Sequence, residues 1–333
     1  MKIGIVGLGY WGPNLVRNFL GIDNVTEVHA VDKNESRLHQ IAKRLPGAKY
    51  RNDYEEMLKS SGVDAVAIAT PVASHFPLAK MALEYGKHVL IEKPLTASVR
   101  EAEELCNLAA KKNLVLMVDH TFLFTGAVMK MKELIDSGEV GDLYYFDSVR
   151  INLGLFQHDV NVIWDLATHD ISIMNHLIDR KPIAVSAYGT SHYNHVEDVA
   201  YVVVKFEDNL IAHFHVNWLA PVKIRRILLG GQRKMIVYDD MEPSEKIKVY
   251  DKGVEIKSKE GIYQTLIQYR TGDMYAPKLE GIEALSLLCN NFVKSVFKEA
   301  TPASDGISGL NVVRILAAAN RSLQNNGKDI LLD

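Results

Sequence analysis

Cysteine is almost missing from this chain: Cys106 and Cys289 are the only two in 333 residues. Two thiols so far apart in sequence support neither a disulfide framework nor a thiolate zinc site, and they suit a reducing compartment. Long apolar runs are missing too. No uninterrupted stretch approaches the roughly 18–20 residues that a membrane helix needs. The start, Met1 to Val6, lacks the apolar region and small-residue cleavage site of a secretory leader. Nor is there an excess of charge of one sign, since 38 Lys and Arg face 41 Asp and Glu. That balance gives no general attraction to nucleic acid or to an anionic membrane. The expectation is a cytoplasmic protein with neither of those as a partner.

What is present is the composition of an ordinary globular protein, with 47% hydrophobic and 24% charged residues. A chain of this length exceeds the usual size of one domain, so two are expected. The first third alternates short apolar runs (Ile3–Val6, Glu27–Val31, Ala65–Ala69, Val89–Ile91, Leu114–Val118) with helical stretches. Such alternation predicts βαβ units and a parallel sheet with helices on both faces. After about residue 140, strand-like segments follow one another with few helices between, from Leu143–Arg150 through Ile247–Val254, which predicts a largely antiparallel sheet. Two helices close the chain, with apolar stripes at Leu285, Leu288, Phe292, Val296 and at Ile307, Leu310, Val313, Ala317. The fold class expected is α/β, with one domain over residues 1–121 and a second over 122–333.

Gly7-Leu8-Gly9-Tyr10-Trp11-Gly12 follows the first strand and precedes a helix with Pro13 in its first turn. Glycines here permit a tight turn and close approach of backbone amides to a pyrophosphate at a helix N-terminus. Asp32 ends the second strand, 20 residues after Gly12, where a carboxylate accepts hydrogen bonds from the adenosine ribose. The first domain is therefore read as a dinucleotide-binding, Rossmann-type domain. Asp32 would repel a 2′-phosphate, which favours NAD; Lys33 and Arg37 stand close enough to keep NADP open. The carboxyl ends of further strands should line the same crevice. They supply Thr70, Pro71 and His75 after one strand and Glu92-Lys93-Pro94 after the next, which places Lys93 beside the nicotinamide.

These motifs, with Asp165-x-x-x-His169 and the closing Gly306–Ser322 helix, resemble the glucose–fructose oxidoreductase / inositol dehydrogenase / rhizopine catabolism (Gfo/Idh/MocA) family over essentially the whole chain. The resemblance implies a Rossmann domain joined to an α/β domain with an open, mostly antiparallel sheet. It also implies a nicotinamide-dependent enzyme acting on sugars or cyclitols, assembled as a homodimer or homotetramer through that sheet. The family's catalytic lysine maps onto Lys93, and its Asp–His pair onto Asp165 and His169. The chemistry agrees. Removing a hydride from a secondary alcohol requires that its hydroxyl proton leave; an imidazole accepts it and an ammonium polarises the forming carbonyl. The stretch Trp164–Ile171 reads as helical, so Asp165 and His169 at i, i+4 are expected on one face.

Two departures from the family pattern border the substrate space. Asn161-Val162-Ile163-Trp164 stands where many relatives have a Gly-rich run, and Asp119-His120-Thr121 stands where many have an Asn and an Arg. His120 and Trp164 are accordingly candidate substrate contacts. The segment Gly272–Pro277 and the stretch Trp164–Asp170 look most like relatives that oxidise C3 of a UDP-N-acetylhexosamine or its uronate. A free sugar or inositol, or a non-catalytic NAD-binding sensor of the same fold, remain the alternatives. Twelve histidines invite a metal, yet no HExxH or cysteine-paired spacing accompanies them, and none is expected. In the second sheet, Ile211, His213, His215 and Asn217 alternate with apolar residues and offer a mixed face to solvent, substrate or a second subunit.

Overall fold

The apolar runs of the first third become strands buried on both faces. In a computed structural model, which describes residues 1–154, 160–193, 195–256 and 267–332, they are β1 (Lys2–Val6), β2 (Glu27–Val31), β3 (Lys49–Arg51), β4 (Ala65–Ile68), β5 (His88–Glu92) and β6 (Leu116–Asp119). Between them run α1 (Gly12–Leu20), α2 (Glu35–Arg44), α3 (Tyr54–Ser60), α4 (His75–Glu84) and α5 (Val99–Lys112). Local chemistry sets the helix starts: Asn34, Asp53 and Ser98 each accept an amide hydrogen bond from three residues ahead. Each such cap stabilises its helix by about 1 kcal/mol. All six strands pair in parallel, in the order β3-β2-β1-β4-β5-β6. The order reverses between β1 and β4, the switch point beyond whose carboxyl ends such sheets bind ligands. Ile3, Ile5 and Ala65 to Ile68 have no exposed surface, as expected of a doubly covered sheet.

The chain continues through α6 (Gly126–Asp136), β7 (Leu143–Leu153), α7 (Thr168–Leu177), β8 (Pro182–Thr190), β9 (Val199–Phe206), β10 (Ile211–Asn217), β11 (Leu219–Gly231), β12 (Met235–Asp239), β13 (Ile247–Tyr250), β14 (Gly253–Ile256), β15 (Ile267–Arg270), β16 (Met274–Tyr275), α8 (Ala284–Val296), α9 (Gly306–Gln324) and β17 (Ile330–Leu331). Among the described residues nine strands form one sheet, in the order β16-β13-β12-β11-β7-β10-β9-β8-β17. Only β7 and β10 pair in parallel there; the other seven pairings are antiparallel. The α/β class, the parallel first sheet and the mostly antiparallel second sheet are thus as the sequence predicts. Leu210, Ala212, Phe214 and Val216 are buried, while Ile211 is 44% exposed and His213, His215 and Asn217 are half-buried, so the alternation on this strand holds.

Several expectations need correction. A single boundary at 121/122 does not describe the chain. Its two compact units are Met1–Thr125 with Ile282–Arg314, and Gly126–Gly281 with Ile315–Asp333. The return to the first unit has a visible cause. Phe292 of α8 meets Phe19 of α1 edge-on at 6.4 Å, and Glu283 grips Arg17 through hydrogen bonds of 2.5 and 3.0 Å. The run Ile247–Val254 is not one strand but the end-to-end pieces β13 and β14, which lie in different sheets. Ile224–Leu229 lengthens into β11, with a register shift between Leu219 and Ile224 around Pro221, a residue with no amide for the ladder. Ile307 is 54% exposed and lies off the buried stripe of α9.

Candidate active site

In the first unit, the loop after β1 is shaped by contacts that exclude side chains. Gly7 has φ of +90°, and a Cβ on it would lie 2.5 Å from the Ala69 carbonyl oxygen; a Cβ on Gly12 would lie 2.0 Å from that of Gly7. Gly9 differs, because among the described residues nothing beyond its two chain neighbours lies within 4 Å of where its Cβ would be. The loop runs directly into α1, whose first turn has no side-chain cap. Uncapped amides and a bare backbone fit a pyrophosphate. Tyr10 and Trp11, 86% and 42% exposed, stand edge-to-face on the same loop.

Beside this loop lies a cavity of about 470 Å³, lined by Gly7, Gly9, Asp32, Arg37, Asn52 and Thr70 among others. Asp32 is nearly buried. Its Oδ2 accepts from the Leu8 amide at 2.8 Å and from Arg37 Nη1 at 3.0 Å, and its Oδ1 from the Asn34 amide at 2.8 Å. Burial works against its charge, but the two amides and the guanidinium outweigh burial and hold the carboxyl below its usual range. Sequence reasoning named Arg37 only as a neighbour for a phosphate; here it is Asp32's own partner.

Thr70 and Pro71 continue β4, and Pro71 lines the cavity. His75 is buried behind them. Its Nδ1 lies 2.9 Å from the Pro94 carbonyl oxygen and its Nε2 2.8 Å from that of Thr70, so the ring ties together the ends of β4 and β5. Burial lowers its pKa, and the neutral ring carries a single N–H, so it donates to only one of these two carbonyl oxygens at a time. The Lys93–Pro94 bond is cis.

At the ends of β5 and β6 a polar cluster is buried. Glu92 pairs in register with Asp119, Thr121 donates its hydroxyl to Asp119 Oδ1, and His120 is 1% exposed with both ring nitrogens unpartnered. Burial, and then the nearby Lys93 charge, push the His120 imidazole down to about 3, so it is neutral near pH 7. A neutral imidazole offers one donor and one acceptor.

The second unit holds Trp164, Asp165 and His169. The expected α-helical turn is a π-turn over Ile163–Ala167, and the α-helix begins only at Thr168. Asp165 thus lies in the π-turn and His169 in the α-helix that follows it. Asp165 accepts the indole N–H of Trp218 at 3.0 Å. Trp164 is buried with its own indole N–H unpartnered. Asn161, the departure from a Gly-rich run, holds the chain around it in place. Its Oδ1 accepts from the Trp164 amide, and its Nδ2 donates to Glu197 and Asn320 at 3.0 Å each. One residue past His169, Asp170 receives two bonds from Arg150 on β7, at 2.9 and 2.7 Å, with both side chains 3% exposed. Trp218 and Arg150 carry no local sequence signal. Among the histidines, His192 pairs with Asp198, His213 with Asp147, and Tyr201 stacks on His215 at 4.5 Å. Among the described residues no group of three or more potential ligands is placed to hold a metal ion. No helix among them is long and apolar enough to cross a membrane.

A 3-2-1-4-5-6 parallel sheet with a bare glycine loop and a ribose-side carboxylate defines a dinucleotide-binding protein. Residues 1–120 match the oxidoreductase family with an NAD-binding Rossmann fold, and residues 128–237 match the C-terminal domain of the same family. The chain belongs to the Gfo/Idh/MocA family of oxidoreductases. It is similar to UDP-N-acetylglucosamine 3-dehydrogenase of Acidithiobacillus ferrooxidans, 25% identical over 96% of this chain and 95% of the relative. It is also similar to myo-inositol 2-dehydrogenase of Thermotoga maritima, 23% identical over 97% and 96%. Among solved structures, the WlbA dehydrogenase from Bordetella pertussis, in complex with NADH and UDP-GlcNAcA, shares the fold with a TM-score of 0.83 at 16% identity, over 100% of this chain and 98% of that one.

Proposed function

We propose that this protein is an NAD-dependent dehydrogenase that oxidises the C3 hydroxyl of a UDP-linked N-acetylhexosamine or its uronate. The observation that carries the reading is the full-length similarity to a UDP-N-acetylglucosamine 3-dehydrogenase, in a chain whose sequence keeps Lys93, Asp165 and His169. When bound, NAD supplies the hydride acceptor. The protein's own residues handle the proton and the charge. The His169 imidazole accepts the hydroxyl proton, the Lys93 ammonium polarises the oxygen as it becomes a carbonyl, and Asp165, steadied by Trp218, positions the substrate. The adenosine end belongs with Asp32 and the cavity beside it, and the pyrophosphate with Gly7, Gly9 and Gly12. Trp164 and His120 bring unpartnered buried polar atoms suited to substrate hydroxyl or amide groups.

The deciding experiment monitors NADH absorbance with UDP-sugars and polyols, 2-oxoglutarate being included as a second acceptor. Turnover of a UDP-N-acetylhexosamine or its uronate is expected. Lys93→Met and His169→Asn should each lower turnover by roughly two orders of magnitude or more, with NADH binding retained. Normal turnover in both variants would overturn the residue roles. Turnover of inositol alone would support the second reading, which the similarity to inositol dehydrogenases favours.

The exposed sheet face, with Tyr188 63%, Tyr201 44% and Ile211 44% exposed, is proposed to cover itself with a second copy of the chain. Light scattering at micromolar concentration should show a dimer or tetramer, and a lone 37.3 kDa species would refute it.

A further inference from the structure

β5 and β6 run parallel and stop at the same level, which sets Glu92 opposite Asp119. Register partners on neighbouring strands point to the same face, so the two carboxyl groups are neighbours by construction. Asp119 is 3% exposed, and Glu92 Oε1 and Asp119 Oδ2 are buried atoms that meet no donor among the described residues. The register sets the two carboxyl groups side by side, and the charge of Asp119 acts on Glu92. An ionised carboxylate only accepts, so two of them in contact repel; the contact becomes a bond when one oxygen carries a proton.

The surroundings fit one proton rather than none or two. The Lys93 ammonium acts on both carboxyls, and the Lys93 amide donates to Glu92. The Thr121 hydroxyl and amide donate to Asp119. His120 is buried and neutral, and from α8 the buried Cys289 thiol is pushed well up by burial and then by Asp119, so it adds no charge. Farther along that side, Arg17 and Glu283 neutralise each other. Two ionised carboxylates side by side and out of water repel each other at full strength, whereas one proton between them removes that repulsion. Burial drives both carboxyls upward, and Glu92 is driven further by the charge of Asp119.

We propose that Glu92 and Asp119 share a single proton at neutral pH, carried by Glu92 and directed at an Asp119 carboxylate that Thr121 holds in place. The pair then presents one negative charge to Lys93 and keeps Glu92 fixed at the end of β5. Asp119 and Thr121 are positioning residues in this arrangement. The consequence for turnover rests on the proposed role of Lys93; the proton itself does not.

The test is infrared difference spectroscopy on the full chain without substrate, comparing the unaltered protein with Asp119→Asn and Glu92→Gln. The unaltered protein should show a protonated-carboxyl C=O band at pH 7 that shifts in heavy water. Either single replacement should abolish that band, because the remaining acid ionises once its partner is a neutral amide. A band lost in only one of the two variants means an unshared, independently protonated acid and overturns the proposal. So does the absence of any such band in the unaltered protein. NADH binding reports whether each variant is folded; if neither variant folds, the presence or absence of the band in the unaltered protein at pH 7 decides. In turnover, Asp119→Asn should remove the alkaline step in kcat/KM that release of the shared proton produces, and an unchanged step overturns the link to Lys93. Should no candidate sugar turn over, the proposed function fails while the infrared result still stands.

Discussion

Trp218 and Asp165 are 53 positions apart, yet the indole N–H of one meets Oδ2 of the other at 3.0 Å. Trp218 has no exposed surface, so this donor is fixed by the packing around it. A hydrogen bond to a charged group contributes about 1.5–3 kcal/mol, so its loss should be felt wherever Asp165 acts. With the proposed substrates, Trp218→Phe should lower kcat/KM by roughly tenfold or more while NADH affinity stays unchanged. Asp165→Asn keeps an amide oxygen for the indole but loses the charge, and should cost about as much. The double variant should be scarcely worse than either single one, since both act on the same charge-assisted bond. Additive losses would show that Trp218 acts through something other than Asp165.

The Arg37–Asp32 pair makes a different prediction for the cofactor. Asp32 is nearly buried and Arg37 is 45% exposed at its side chain, so the cation is the movable partner. Asp32→Ser should weaken NADH binding and improve NADPH binding, because the carboxylate that repels a 2′-phosphate is gone and Arg37 is released to meet it. Arg37→Ala should mainly weaken NADPH. Paired fluorescence titrations of both reduced cofactors on all three proteins check this. Tighter NADPH than NADH binding by the unaltered protein would mean that the cations at Lys33 and Arg37 already outweigh Asp32.

The legible parts of this molecule are the local ones. The glycine loop, Asp32 and Glu92-Lys93-Pro94 lie within one strand–turn–helix unit each, and the parallel order follows from the βαβ rhythm. What the sequence hid depends on long-range pairing. The parallel neighbours β7 and β10 lie about sixty residues apart in the chain, and their pairing belongs to the same sheet that brings Trp218 toward Asp165. Asn161 reads as a missing glycine until Glu197 and Asn320 appear beside it. The π-turn at Ile163–Ala167 has no compositional mark, so an ordinary helix is the reasonable expectation there.

Arg150 and Asp170 form a buried, two-bond ion pair between β7 and the helix that begins beside His169. Removing one partner leaves the other charge buried without compensation. Arg150→Met should therefore destabilise the protein by about 3–5 kcal/mol, whereas Arg150→Met with Asp170→Leu should recover much of that loss. Urea unfolding followed by tryptophan fluorescence measures both. Equal losses in the single and double variants would show that Arg150 contributes through its packing rather than its charge.

His120 ties stability to acid. Its folded-state pKa lies near 3, because burial and then the Lys93 charge disfavour the imidazolium. In the unfolded chain an imidazole titrates near about 6.5. Between those values the unfolded state binds a proton that the folded state does not, so stability is full above about pH 6.5 and falls as pH drops toward 3. One such group gives a slope of up to about 1.4 kcal/mol per pH unit. His75, His88 and His176 are also lowered by burial and add to the loss, so the single-residue share must be isolated. His120→Phe removes the titration while keeping the site filled. Urea midpoints measured from pH 7.5 down to 5 should fall less steeply for the variant than for the unaltered protein, by up to that slope. Parallel lines for the two proteins would mean that His120 gains a proton in the folded state after all, and that its two nitrogens are not as sheltered as their burial indicates.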